Sequence, residues 1–172
     1  MKNYFLFILF LGIGSCSEPY RITVEPSGTK IITGFCDRQI FVSEPDLKEW
    51  YGPQYSGYQV DQVVLAELDS LSQSVSFIVF LGTWCGDSKR EVPRFLKIAD
   101  EAKIPPNKIM LYGVDRTKRS NDGITDKYHL LNVPTIIVLN GEKELGRIVE
   151  FPQETLEKDV TGILMKWRDL KN

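Results

Sequence analysis

The chain has 172 residues, 42% hydrophobic and 26% charged, an ordinary composition for one well-packed domain and a modest extension. Its formal net charge is −2, and no basic cluster exceeds short runs such as Lys118-Arg119. That argues against nucleic-acid binding, which needs a concentrated positive surface.

The first fifteen residues stand apart. Lys2 gives a positive start, and Phe5 to Ile13 is almost wholly apolar. As a helix this run rises about 14 Å, too little to cross a hydrocarbon core of about 30 Å. It has the form of a secretory signal peptide, so residues 1–15 are set aside from the fold. The "IGSC" that follows, ending at Cys16, resembles the bacterial lipobox: an aliphatic residue, two small ones and a cysteine. The resemblance implies cleavage before Cys16 and lipidation of that cysteine. The protein would then lie outside the cytoplasm, lipid-anchored to a bacterial membrane on its periplasmic or cell-surface side. A plain signal peptide with a coincidental cysteine is the alternative. Cys36 and Cys85 would be the remaining thiols, too few for a disulfide scaffold, although that compartment permits disulfides.

Residues 16–57 read as an extension. Ile22 and Val24 alternate with polar residues, Pro26-Ser27-Gly28 breaks the run, and Ile31-Ile32 resumes it, giving a hairpin. The "EPDLKEWYGPQYSGY" that follows is rich in Pro, Gly and Tyr and predicts a short helix and loop. Whether this extension adds to the sheet, covers a groove or binds a partner stays open.

Residues 58–172 form the sharper pattern. Val60, Val64, Leu68 and Leu71 fall at helical spacing, and "FIVFL", 77–81, suits a buried strand. Val92, Phe95, Leu96 and Ala99 mark a second helix, stopped by Pro105-Pro106. "IMLYGV" is a strand and "ITDKYHLL" a short helix. "TIIVL" and "RIVEF" are strands joined through Asn140-Gly141, and Leu156, Val160, Ile163, Leu164 and Trp167 line a closing helix. Strands alternating with helices imply a central α/β sheet covered on both faces.

That order resembles the thioredoxin fold, and separate motifs agree with it. "WCGDS" stands where thioredoxins have Trp-Cys-Gly-Pro-Cys, after the central strand. Pro93 matches the kink proline of the active-site helix. "YHLLNVPT" is similar to the segment that carries the family's cis-proline, here Pro134, and "LNGE" to the turn before the last strand. "SKREVP" further resembles the extracytoplasmic TlpA and ResA group, in which an acidic residue, here Glu91, follows the redox motif by three. The resemblance implies a thioredoxin-like fold with a central mixed sheet and a β-rich N-terminal extension. Two positions depart from the dithiol pattern. Ser88 replaces the second redox cysteine, and Val79 replaces the buried aspartate of cytosolic thioredoxins.

By this resemblance Cys85, Ser88 and Glu91 are the catalytic candidates. Trp84, Val133 and Pro134 are the substrate-binding ones, with Val133 offering backbone groups to an extended strand. A cysteine at a helix N-terminus meets unpaired N–H groups and the positive end of the dipole, which favour thiolate; Asp87 opposes this, offset partly by Lys89 and Arg90. Ser88 could donate to the sulfur, or simply cap the helix through the Ser-x-x-Glu pattern. Glu91 could be a first-turn carboxylate or carry protons to a leaving sulfur. Ser88 cannot resolve a mixed disulfide, so release needs an outside thiol or Cys36, itself more often a buried residue. His129 reads as a surface or capping group, and no residue spacing suggests zinc or calcium. No cofactor is expected.

The expected activity is exchange with protein thiols or disulfides, completed by an unidentified thiol donor. A binding module that holds a partner's extended segment is the alternative. A monothiol glutaredoxin-like protein is a third, because "CGDS" resembles Cys-Gly-Phe-Ser; Trp84 and the export signal argue against it.

Overall fold

The computed structural model describes residues 20–170 apart from Asn121. The proposed signal segment and Cys16 lie outside the described residues. One six-stranded mixed sheet organises the described residues, in the order β1-β2-β4-β3-β5-β6.

β3 (Ser76–Leu81) is the apolar run, and β4 (Ile109–Gly113) lies parallel to it. β5 (Thr135–Asn140) runs antiparallel on its other side and turns into β6 (Lys143–Val149). Gly141 takes the positive φ that this two-residue turn requires. β1 (Tyr20–Val24) and β2 (Lys30–Cys36) form the expected hairpin, and β2 pairs antiparallel with β4 through Gly34–Cys36. The extension therefore adds two strands to the sheet.

Alternation along β3 separates two cores. Phe77, Val79 and Leu81 face a large cluster with α2 (Pro45–Gly57), α3 (Gln62–Leu71), α4 (Gly86–Glu101) and α6 (Leu156–Asp169). α1 (Ile40–Ser43) joins them through Ile40 and Phe41. Ile78 and Phe80 face a smaller cluster covered by the four-residue α5 (Ile124–Lys127) and the segments around it. Both faces carry helix, but very unequally.

Several elements differ from the sequence expectation: α5 covers only the first half of "ITDKYHLL", and β6 begins at Lys143, ahead of "RIVEF". Residues 45–57 are one thirteen-residue helix, with Pro45 in its first turn and Pro53 inside it. Proline fits a first turn, where its missing N–H has no partner to lose. The remainder is held by packing: Leu47 and Tyr51 are buried, and Tyr51 stacks on Phe41. α3 starts after Asp61, whose carboxylate accepts the N–H groups of Val63 and Val64, so Val60 precedes the helix. α4 ends at Glu101, before Pro105-Pro106, and Lys103 follows with φ +54°. Among the described residues, no helix is long and apolar enough to cross a membrane.

Candidate thiol site

Adjacent antiparallel strands bring the two halves of the site together. Phe80 of β3 pairs with Thr135 of β5, so the loop leaving β3 meets the loop entering β5 at one end of the sheet. The first loop carries Trp84 and Cys85; the second carries Val133 and Pro134. The Val133–Pro134 peptide is cis. The Cys85 thiol donates to the Val133 carbonyl oxygen, with Sγ and O 3.2 Å apart.

Cys85 is the N-cap residue of α4, in extended backbone, and its carbonyl accepts the first helical N–H, from Lys89. The cysteine is partly exposed and free of any disulfide. Asp87, the nearest carboxylate in sequence, is paired with Arg90 at 2.8 Å, so its charge beside the helix N-terminus is partly neutralised.

Ser88 is fully buried in the third position of α4. The capping-box reading fails here, because the helix begins two residues before Ser88. Its Oγ instead accepts the backbone N–H of Gly82, 3.1 Å away, and ties the start of α4 to the end of β3. Glu91, also buried, accepts from Arg90 and has Arg94 3.7 Å away. Two guanidinium groups therefore surround its carboxylate. Arg94 in turn bonds Gln54 and lies over the Tyr58 ring, which directs this cluster toward α2 and the segment following it.

Trp84 is held by residues that sequence reasoning did not single out. Its Nε1–H donates to the Val114 carbonyl at 3.0 Å. A Cβ on Gly82 would lie 2.7 Å from the indole, so only glycine leaves the ring its place. The Arg116 guanidinium sits 5.3 Å from the ring centroid. The glycine two residues before a tryptophan was the one available signal of close approach.

Cys36 lies at the far end of β2, 2% exposed, and belongs to the large cluster, whereas Cys85 borders the small one on the opposite sheet face. Its pairing with Cys85 is absent. Burial pushes the Cys36 thiol up to about 12. His129 is exposed, at the positive φ of a turn.

A sequence profile for thioredoxin matches residues 43–161, and the chain belongs to the thioredoxin family. It is 28% identical over 86 residues to protein disulfide-isomerase 1 of Dictyostelium discoideum, covering 50% of this chain but only 20% of that protein. Thioredoxin of Staphylococcus saprophyticus is 28% identical over 89 residues, which cover 51% of this chain and 81% of the relative. A solved protein of unknown function from Pseudomonas aeruginosa superposes with a TM-score of 0.53 at 18% identity, over 78% of this chain and 92% of its own. That likeness is one of fold alone.

Proposed function

We propose that the protein is an extracytoplasmic, TlpA/ResA-like member of its family. A lipid on Cys16 tethers it to a bacterial membrane, and it exchanges protein thiols and disulfides through Cys85. The observation that carries the redox reading is the placement of one sulfur. It is partly exposed, at a helix N-terminus where negative charge is favoured, and in contact with the loop of a cis-proline. The export and anchoring part rests on residues 1–16 alone.

In the first step the Cys85 thiolate attacks one sulfur of a protein disulfide. A Cys85–substrate S–S bond forms as the original bond breaks, and the departing thiolate takes a proton from solvent. Among the described residues, the mixed disulfide has no resolving group within the site. The Ser88 hydroxyl is buried, occupied by Gly82, and far too basic as an alkoxide to displace a thiolate. A thiolate from an external donor therefore attacks the mixed disulfide and releases Cys85. One donor thiol gives disulfide exchange; a second completes reduction of the substrate to two thiols, leaving the donor oxidised.

The test is turnover of a peptide disulfide with a small external thiol. Wild type should turn over and Cys85→Ser should not. Absence of both turnover and trapped mixed disulfides would sink the reading. The sealed Ser88 also favours a second reading, a module that captures one partner per thiol and keeps it; stoichiometric trapping without turnover selects that one. Release of the Cys16→Ala protein from membranes tests the anchor.

A further inference from the structure

The N-terminal hairpin reaches the thiol site at two points. β2 outruns β4, since their pairing stops at Gly34–Gly113. The backbone of Lys30 and Ile32 beyond that point meets Thr83 instead. The Thr83 hydroxyl donates to the Lys30 carbonyl at 2.6 Å and accepts the Ile32 N–H at 3.3 Å. Thr83 is 2% exposed and immediately precedes Trp84.

The second point is an ion pair. Glu25, in the turn between β1 and β2, takes Arg116 in a bidentate grip, Nε–Oε1 2.6 Å and Nη2–Oε2 2.7 Å. Bonds within the turn fix Glu25: its N–H donates to Thr29 O, and its carbonyl accepts from Gly28. Arg116 follows β4 and carries its guanidinium over the indole of Trp84. With those two nitrogens committed to Glu25, the guanidinium carbon lies 5.3 Å from the ring centroid, within cation–π range.

We infer that Arg116, held by Glu25, is a positioning residue for Trp84, so that the N-terminal hairpin is a working part of the thiol site. The proposal rests on the redox reading above and deepens it. Trp84 stands directly before Cys85, and both side chains pack against the small cluster. Val114 O fixes one edge of that ring and Gly82 lets it approach the backbone. The Arg116 guanidinium lies over the ring. Loss of the clasp frees the ring while leaving the sulfur, its helix and its Val133 contact unchanged.

The experiment uses full-length protein labelled with 5-fluorotryptophan. Its three tryptophans give three fluorine resonances, and Trp84→Phe identifies the relevant one. Glu25→Ala and Arg116→Gln should both shift or broaden the Trp84 line and leave the other two in place. Arg116→Lys, which keeps a cation but not the planar fork, should restore the line in part. The same variants should form mixed disulfides with a cystine peptide about three-fold more slowly, the modest size expected of an exposed pair. Alkylation of Cys85 by iodoacetamide, which needs no aromatic surface, should hold its rate. An unmoved Trp84 line, or unchanged peptide rates in a wild type that does react, overturns the proposal. A wild type with no Cys85-dependent exchange overturns the redox reading instead, and the fluorine spectra still decide whether the clasp orders Trp84.

Discussion

The hydroxyl oxygen of Ser88 accepts the N–H of Gly82 across 3.1 Å, inside a site where the thioredoxin pattern has a second cysteine. This bond joins the end of β3 to the first turn of α4, beneath the nucleophile. The position is thus occupied by a structural acceptor. Ser88→Cys would exchange that role for a chemical one. A thiol three residues after Cys85 is placed to form a disulfide with it. The variant should lose both thiol signals on mild oxidation and should no longer accumulate mixed disulfides. Sulfur accepts the Gly82 N–H more weakly, so the reduced variant should be less stable by about 1 kcal/mol in urea melts. Persistence of both active-site thiols, at Cys85 and at the substituted position, after oxidation would contradict this geometry.

Two glycines differ in what surrounds them, and their alanine variants should rank accordingly. A Cβ on Gly82 would lie 2.7 Å from the Trp84 ring, a side chain that can tilt at the expense of its Val114 bond. A Cβ on Gly113 would lie 2.4 Å from the Ile32 carbonyl oxygen, which is backbone and cannot move without parting β2 from β4. Gly82→Ala should cost about 1–3 kcal/mol, the range for overpacking, and alter tryptophan fluorescence. Gly113→Ala should cost more in the same thermal melts. The reverse order would show that the hairpin joins the sheet less firmly than its pairing indicates.

The central order of elements was legible because each strand carries its own signal, as the unbroken run Phe77–Leu81 does. The full length of α2 was not, because Gly52, Pro53 and Gly57 give it poor local helix propensity. What holds it is tertiary: the buried face of Leu47 and Tyr51, and the bond from Tyr55 to Asp100. The sequence motifs placed Trp84, Cys85, Val133 and Pro134 on two loops, and the register Phe80–Thr135 brings those loops together. The capping alternative for Ser88 fails because the Ser-x-x-Glu pattern has no means of indicating that the helix starts at Gly86. The Glu25–Arg116 clasp was invisible for another reason. Its partners are 91 residues apart, and neither stands in a local pattern that announces the other.

Cys36 offers a check on burial that is independent of any redox activity. Its thiol is pushed up to about 12, chiefly by burial. In a Cys16→Ser protein at pH 8, iodoacetamide should therefore label one thiol per chain in the native state and two after unfolding. A folded value raised above the unfolded one means that the stability from keeping Cys36 protonated is complete below the ordinary thiol range. It is lost as pH rises through that range toward about 12. Cys36→Ala should thus flatten part of the alkaline loss of stability. Rapid labelling of two thiols in the native protein would place Cys36 near solvent.

At low pH the vulnerable contact is the clasp between α4 and the residues before it. Asp100 on α4 receives both terminal nitrogens of Arg38, at 2.7 and 2.6 Å, and the Tyr55 hydroxyl at 2.6 Å. Burial alone would raise the Asp100 carboxyl, but these hydrogen bonds outweigh it and hold the group below its ordinary range. Burial, reinforced by the same carboxylate, pushes the Tyr55 phenol up to about 12. A depressed carboxyl contributes stability above its unfolded value and loses it as pH falls through the folded one. Wild type and Asp100→Asn should therefore differ most near neutral pH, by about 1 kcal/mol for a partly exposed pair. Their urea midpoints should converge on acidification, because protonation removes from wild type the charge that the variant already lacks. Parallel midpoints across the acid range would mean that Asp100 holds Arg38 and Tyr55 no better than an amide does.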